Sequence, residues 1–282
     1  MNNTSDMLPK PDMAALNKNY ADILHPSLTR RLVVAGVALA LLAPLVLAWQ
    51  LFGISFEQII IGIGRLGQFV VLMFPPTPGR FFWIFTQALG ETLAIAFLGT
   101  LGAAILAFPL SLLAARNIMP FAPLRVLVKR GFDIIRSIDT LIWALIWIGI
   151  VGLGPFAGVL AILTSDFGAF GKLFTETLET ADAKPVEGIT STGGSAVAAI
   201  RYGLFPQVVP VIIGQILYFF ESNTRSATII GVVGAGGIGL HLYEEIRTLE
   251  WQLVSFIVLM IMITVFIIDL ISVQIRKRLA NG

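Results

Sequence analysis

The sequence predicts an all-α integral membrane protein with six membrane-spanning helices. Of its 282 residues, 56% are hydrophobic and only 13% are charged, whereas a soluble domain carries roughly 25% charged residues. Several runs with few or no charges are as long as the ~20 residues that a helix needs to cross a bilayer. Lysines and arginines also concentrate in alternate connecting segments, and this bias sets the number of spans and their orientation.

The N-terminal third of the sequence is predicted to form a polar tail, two membrane spans and one interfacial helix between the spans. Residues 1–29 are polar and are predicted to form a cytoplasmic tail, whereas residues 30–282 form the transmembrane domain. The uncharged run Leu32–Ser55 is the first span. Phe56–Phe74 is short, contains charges and ends at a proline-rich stretch, so we expect an interfacial helix, with a membrane-inserted helix as the alternative. Trp83–Ala115 is the second span.

Charge distribution decides how the middle of the chain divides. A glycine-rich turn at 152–158 separates a third span, Phe132–Val151, from a fourth, Phe156–Phe174. Val208–Val233 and Trp251–Ile275 are the fifth and sixth. With the N-terminus inside, this division leaves most of the 19 lysines and arginines on the cytoplasmic side, as the positive-inside rule requires. Merging the third and fourth spans would place the basic C-terminus outside.

Composition excludes several function classes. The chain has no cysteine and only two histidines, so we expect no disulfide, no thiolate site and no metal centre. A net charge of +2 gives no reason to expect nucleic-acid binding. Paired catalytic groups are missing, so an enzyme is not expected. No GxxxxGK[ST] phosphate loop occurs, and ATP would therefore have to bind another chain.

One polar interval stands between the late spans, at Glu187–Pro210. Gly193 and Gly194 would interrupt a helix there, because glycine costs about 1 kcal/mol relative to alanine in a helix interior. The interval therefore predicts a short helix, a turn at the glycines and a second helix over Ala196–Tyr202, ahead of Pro206. Such a helix–turn–helix at the mouth of a bundle can serve as a mechanical handle.

The fifth span contains the strongest candidate for a polar path. Within FESNTRSAT, Glu221 and Arg225 lie four residues apart on one helix face, with Ser222 and Asn223 between them. An ionisable side chain at mid-bilayer costs about 2.5–3.5 kcal/mol and is by default a functional hypothesis. Arginine suits an anionic solute because its planar fork matches phosphate-like oxygens. The alternative is a self-neutralised pair that only joins helices.

Other polar groups are weaker candidates for the path. Arg136, Ser137 and Asp139 form a second cluster at the start of the third span, although Arg136 could equally lie at the headgroup boundary. Glu91 lies near the outer end of the second span. Asp166, in the fourth span, lies within the sequence Ser-Asp-Phe-Gly, which predicts a helix break or a cavity.

The glycine run after the fifth span matches the GxGxxG pattern, but the neighbouring sequence is not that of a nucleotide-binding site. That fingerprint requires a preceding strand and a following helix within a βαβ unit, whereas this run ends a membrane span. We expect a tight packing or gating turn instead. Its glycines are Gly234, Gly236, Gly237 and Gly239.

The polar interval resembles the EAA loop of ABC importer permeases, in which Glu, then Gly six residues on, then Pro thirteen further on recur. Glu187, Gly193 and Pro206 match this spacing. Gly188 and Ile189 replace the two alanines of the pattern. The resemblance implies that residues 179–206 are a coupling loop docking into a separate ATPase subunit, with contact residues Glu187, Gly188, Gly193, Gly194 and Pro206.

FESNTRSATIIGVVGAGGIG, together with GLGPFAGVLA upstream and the PVEGI loop, resembles the phosphonate importer permeases of the PhnE type, a branch that also serves phosphite and hypophosphite. The resemblance implies a type I, six-span permease in the bacterial inner membrane with both termini cytoplasmic. It also implies the partners: two ATPase subunits that hold ATP and Mg²⁺, a second permease copy or paralogue, and a periplasmic binding protein.

This sequence departs from the PhnE pattern at two positions. Asp139 stands where proline is common, and Ser165 where histidine is common. Two alternative functions remain at this point. One is a permease of the same architecture for an amino acid such as methionine, and the other is an ion-coupled secondary transporter.

Overall fold

The computed structural model describes residues 28–53 and 55–280, and within them every regular element is helical. Residues 1–27 of the predicted tail lie outside the described residues. The helices follow in chain order as α1 (Leu28–Leu51), α2 (Phe56–Leu72), α3 (Phe82–Ala114), α4 (Ala122–Arg136), α5 (Thr140–Val151), α6 (Pro155–Thr180), α7 (Ala183–Ser191), α8 (Ala196–Ala198, continued by a π-helical turn over Ala199–Leu204), α9 (Phe205–Ile230, followed by another π turn over Gly231–Ala235), α10 (Ile238–Arg247) and α11 (Trp251–Ala280).

The first compact unit, residues 1–69, contains α1 and most of α2. α1 has 24 residues and no charge after Arg31, so it is long and apolar enough to span a membrane. α2 is a helix of 17 residues with Glu57 in its first turn. The sequence prediction of a short separate helix after the first span is therefore confirmed.

The second unit begins at Val70 and is built around the packing of α3 on α6. Small side chains let the two helices approach closely, as is common in membranes. A Cβ added to Gly99 on α3 would lie 2.7 Å from the side chain of Ile162 on α6. The remaining small residues of this contact are fully or almost fully buried: Ala96, Ala103, Ala107, Ala157 and Ala161.

Aromatic residues fill the core toward the end of α6. The rings of Phe170 and Phe174 stack with their centroids 5.0 Å apart, and Phe219 of α9 lies 4.6 Å from Phe170. All three helices, α3, α6 and α9, contribute to this cluster. α6 is therefore the central helix of the unit.

The predicted third span is not one continuous helix. α4 and α5 meet at an angle of 86° across a break of a few residues, so the prediction of a single helix over Phe132–Val151 is wrong. Asp139 causes the restart, since its carboxylate accepts a hydrogen bond from the Leu141 backbone N–H at 2.8 Å and caps α5. A hydropathy window does not detect such a cap.

The division into third and fourth spans is confirmed. Gly152 and Gly154 have φ values of +90° and +133°, which only glycine adopts readily, and Pro155 starts α6 directly afterwards. Within the described residues, five helices are long and apolar enough to cross a membrane, and the bent pair α4–α5 makes a sixth candidate. The protein is therefore a multi-pass membrane protein.

Candidate functional site

The polar interval folds as the predicted helix–turn–helix. Asp182 caps α7 by accepting from the Lys184 N–H at 3.1 Å, and Ser195 caps α8 by accepting from the Ala198 N–H at 3.3 Å. Between them Gly193 has φ +83°, the left-handed conformation that favours glycine. Gly194 packs against Ile189, where a Cβ would lie 2.8 Å from the carbonyl oxygen. We call residues 179–206 the coupling segment.

Two polar side chains close the base of the coupling segment, and neither was identified from the sequence. Gln207 donates its amide to the carbonyls of Asp182 at 3.2 Å and Gly203 at 2.6 Å, and accepts from the Asp182 N–H at 3.1 Å. Glu179 accepts from Lys129 and from the Arg116 N–H, both at 2.8 Å. The segment is therefore anchored to both α9 and α4.

The outer surface of the coupling segment is open. Glu187 is exposed, and its carboxylate makes no hydrogen bond to any described residue; its carbonyl accepts from Thr190 at 2.9 Å and Ser191 at 2.8 Å. No heavy atom lies within 4 Å of a Cβ placed on Gly188. Pro206 lies in the first turn of α9, where its missing N–H is tolerated. These exposed groups are available to a partner chain.

The polar stretch of α9 divides between two surfaces. Asn223 is only 5% exposed, and its amide donates to Thr100 of α3 at 2.8 Å and to Asp166 of α6. Asn223 is therefore a core residue, and its expected place on an open path is not what the structure gives. α6 runs unbroken through Asp166, so the predicted helix break at this residue is wrong.

Arg225 lies on the other surface of α9. Its guanidinium contacts the Glu221 carboxylate at 3.2 Å, with 49% of the Arg225 side chain and 13% of the Glu221 side chain exposed. Tyr218 and Ile229, seven residues before and four after Arg225, are both more than half exposed. Ser222 is half-buried. A guanidinium this open, within a helix that can span a membrane, needs water or another protein surface next to it.

Arg136 belongs to an ionic cluster that sequence reasoning found only in part. Asp133 lies 3.3 Å from Arg136, 3.5 Å from Arg130 and 3.7 Å from Lys172 of α6. We call these four residues the Asp133 cluster. A cavity of about 200 Å³ beside it is lined by residues of α4 and α6, Asp133 and Lys172 among them. The i, i+3 spacings within α4 could have indicated the first two contacts.

The neighbours of Arg136 serve the local backbone. Ser137 donates to the Ile134 carbonyl at 2.6 Å, and Asp139 caps α5. Both side chains are exposed. Their hydrogen bonds give them a structural role at the bend between α4 and α5.

The glycine run forms a tight turn between α9 and α10. Gly234, Gly236 and Gly237 have φ values of +103°, +80° and +72°. The Gly154 N–H donates to the Gly234 carbonyl at 2.9 Å, and the Ile238 N–H donates to Thr92 at 2.8 Å. The turn is therefore locked to the start of α6 and to α3, as expected for packing glycines.

α10 carries an acidic surface beyond this turn. A carboxylate oxygen of Glu244 lies 3.2 Å from Nδ1 of His241. Partial burial, together with the negative charges of Glu250 and Glu244, raises the pKa of Glu245. Within the described residues no group of three or more histidine, aspartate or glutamate side chains could hold a metal ion.

Known proteins of similar sequence are transport permeases. HtxC of Stutzerimonas stutzeri, named provisionally as a phosphite transport system permease, is 40% identical over 88% of this chain and 86% of its own length. PtxC of the same organism, a phosphite transport system permease, is 32% identical over 86% of this chain and 87% of its own. The phosphate-import permease PhnE of Mycolicibacterium smegmatis is 36% identical over 70% of this chain, which spans 37% of that relative's length.

Solved structures show the same architecture. The inward-facing MetNI methionine ABC transporter superposes with a TM-score of 0.63, covering 72% of this chain and 99% of the matched chain at 19% identity. At that identity the likeness establishes the type I importer fold and nothing about the substrate. Residues 107–281 match the family described as the binding-protein-dependent transport system inner membrane component, and this chain is therefore a member of that family of ABC importer permeases.

Proposed function

We propose that this permease moves a phosphonate, or a related phosphorus oxyanion such as phosphite or hypophosphite, into the cytoplasm. The observation that carries the proposal is Arg225, a half-exposed cation within a candidate span, in a chain 40% identical to a phosphite-system permease over most of both lengths. A guanidinium stays charged and offers parallel N–H donors to phosphoryl oxygens.

The path includes Arg225, Glu221 and Ser222 on α9. The Glu221 carboxylate accepts a hydrogen bond from one guanidinium nitrogen of Arg225 at 3.2 Å. The other N–H groups of the guanidinium can then donate to a passing anion. Arg136, Ser137 and Asp139 belong to a second polar stretch of the same path. Asn223 acts indirectly, since it fixes α9 to α3 and α6 two residues from Arg225.

Transport requires other chains. A second permease subunit, identical or paralogous, covers the exposed surface of α9 and completes the path. Two ATPase subunits bind ATP and Mg²⁺ and dock on the coupling segment, where Glu187, Gly188 and Gly193 are exposed and Gly194 is half-buried. A periplasmic binding protein delivers the anion and supplies most of the affinity, because tight binding inside the permease would trap the solute.

ATP-driven closure of the ATPases pushes on the coupling segment. Gln207 and Glu179 pass that displacement to α9 and α4, and the spans re-tilt between outward and inward access. The glycine turn over Gly234–Gly239 supports the outer gate. This mechanism places both termini and the coupling segment on the cytoplasmic side of the inner membrane.

The test is uptake into proteoliposomes that contain the permease, its ATPases and its binding protein. We expect ATP-dependent accumulation of methylphosphonate, phosphite or hypophosphite, and none of methionine. Uptake of methionine instead would support an amino-acid permease. Uptake of a phosphorus oxyanion without ATPase subunits would support an ion-coupled transporter, and either result contradicts the proposal.

A further inference from the structure

An apolar groove runs along the side of the second unit, between α3, α9 and α11. Its volume is about 220 Å³, roughly seven times the ~30 Å³ that one water molecule occupies in the liquid. Phe97 of α3 and Phe220 of α9 meet edge to face at 5.9 Å in its wall, and aliphatic side chains of α11 complete it. Thr100 and Ser272 also line the groove, but both are buried. The surface that the groove offers is therefore almost entirely hydrocarbon.

The groove lies on a different side of α9 from the surface around Arg225. Phe220 and Arg225 are five residues apart, which is about 140° around a helix. A second permease copy placed over Arg225, as the proposed function requires, therefore faces another side of α9 than the groove does.

The length of α11 places the groove within one leaflet of the membrane. Trp251 and Arg276 are 25 residues apart, or ~38 Å of helix, which exceeds the ~30 Å thickness of the hydrocarbon core. The C-terminal end of α11 therefore reaches the headgroup level. On α11 the groove extends over residues 268–275, or ~10 Å of helix, and so covers about two thirds of the ~15 Å depth of one leaflet.

Three cations stand at this end of the groove, Arg276, Lys277 and Arg278. Within the described part of the chain none of them forms an ion pair with a carboxylate, and one guanidinium nitrogen of Arg276 is buried without a hydrogen-bond partner. Arg278 follows Ile271 by seven residues and Ile275 by three, so it lies on the groove face of α11. Lys277 is about 200° around the helix from Ile275 and faces the opposite way.

Charge, and not hydrophobicity, must select the molecule that fills the groove. Lipid tails are as apolar as the groove wall, so exchanging one tail for another gives no hydrophobic driving force. A phosphate at the level of Arg278, in contrast, accepts charge-assisted hydrogen bonds from the guanidinium. Basic pockets between membrane helices bind anionic headgroups in this way.

We propose that the groove binds an anionic phospholipid, with one acyl chain between α3, α9 and α11 and the phosphate on Arg278 and Arg276. The site does not depend on the transported solute or on which side of the membrane the C-terminus faces. Thr100 lines the groove and accepts a hydrogen bond from Asn223 at 2.8 Å. The bound chain therefore packs behind the contact that fixes α9 to α3.

The test is lipid binding to the delipidated complex of the permease and its ATPase subunits, observed by native mass spectrometry. Phosphatidylglycerol and phosphatidylcholine with the same acyl chains are added in equal amounts, and the first lipid retained per permease is identified. We expect phosphatidylglycerol to be favoured at least fivefold, because one arginine near an anionic lipid contributes about 1 kcal/mol, which corresponds to about fivefold in affinity.

Two pairs of variants separate the groove from its surroundings. Arg278→Gln should lower the preference about fivefold, whereas Lys277→Gln, which removes the same charge from the opposite face of α11, should change it less than twofold. Ile271→Trp fills the groove with every arginine in place and should abolish retention of the lipid. Leu270→Trp is its control, since the two residues are 53% and 51% exposed and Leu270 does not line the groove.

The site is overturned if both lipids bind equally, or if Lys277→Gln lowers the preference as much as Arg278→Gln, which would indicate a diffuse attraction to the basic end of α11. Retention unchanged by Ile271→Trp also overturns it, and loss of the second permease copy from the same spectra would then identify protein as the occupant. None of these outcomes concerns the uptake of phosphorus oxyanions, so the proposed function is tested separately.

Discussion

Asn223 joins three helices through a single amide group. It donates to Thr100 and to Asp166, which is only 5% exposed. We predict that Asn223→Leu lowers the stability of the complex by about 1–3 kcal/mol, because a buried acceptor is left without its donor. The measurement is the thermal unfolding midpoint of the solubilised complex.

Two further variants make this prediction specific. Asp166→Leu/Asn223→Leu should recover much of the loss, since removing both partners abolishes the unsatisfied carboxylate. Ser226→Ala, which removes only a 3.4 Å contact to the Ser222 carbonyl on the same helix, should leave the midpoint unchanged. A double variant no more stable than Asn223→Leu would contradict this account.

Arg225 should show the opposite behaviour, a loss of transport without a loss of stability. Its pair with Glu221 is local to α9 and half-exposed, and such i, i+4 pairs contribute only about 0.3 kcal/mol. We expect Arg225→Gln to lower the maximal uptake rate at least tenfold at an unchanged unfolding midpoint, with Arg225→Lys intermediate. Near-normal uptake by Glu221→Gln/Arg225→Gln would mean that the pair only joins helices.

The sequence identified the polar stretch of α9 but not how it divides. Asn223 and Arg225 are two residues apart, which is about 200° around a helix, so one faces the core while the other faces outward. Applying helical periodicity to these residues could have separated them. The partners of Asn223 are 57 and 123 residues away in the chain, and nothing local in the sequence indicates them.

At the scale of elements, the turn between α9 and α10 depends on close backbone contact. A Cβ on Gly239 would overlap the Thr228 carbonyl and lie 3.0 Å from the Cα of Gly231. We predict that Gly239→Ala destabilises the protein by about 1–3 kcal/mol through overpacking, measured as the folded fraction after heating.

Gly214→Ala on α9 is the matched control for this turn. No heavy atom lies within 4 Å of its added Cβ, and alanine is favoured over glycine in a helix interior by about 1 kcal/mol. This variant should be neutral or slightly more stable. A similar loss for both alanine variants would show that the contacts of Gly239 are not decisive.

The coupling segment should transmit force only while its base is closed. We predict that Gln207→Leu keeps ATP hydrolysis by the assembled complex but lowers the amount of substrate imported per ATP, because α7 is no longer tied to α9. Gln274→Leu, an exposed change on α11, is the control and should leave that ratio unchanged. A normal ratio for Gln207→Leu would place force transmission elsewhere.

Turns that are marked by glycines in the local sequence were predicted correctly. Features that depend on a single capping residue or on a contact between distant residues were not. Gly193 marked the turn of the coupling segment, and the glycines at 152–154 marked the start of α6. The break between α4 and α5 depends on one capping carboxylate, Asp139, inside a stretch whose average hydropathy resembles a span. The role of Gln207 depends on Asp182, 25 residues earlier.

At the scale of the whole molecule, α6 makes polar contacts with several other elements of the second unit. Asp166 binds α9, Lys172 contacts α4, and Glu179 ties the coupling segment to α4 and to the loop before it. These contacts follow one another along a single helix. In the proposed mechanism, these contacts would carry a displacement of the coupling segment as far as Asn223, two residues from Arg225.

Membrane orientation is the prediction on which this route depends, and the cysteine-free chain makes it testable. We predict that Thr192→Cys on the coupling segment resists an impermeant thiol reagent in intact cells and reacts after permeabilisation, because the positive-inside rule places the segment in the cytoplasm. Thr248→Cys, exposed after α10, should react in intact cells. Labelling of Thr192→Cys from outside would invert the topology, and an ATPase in the cytoplasm could not then reach the segment.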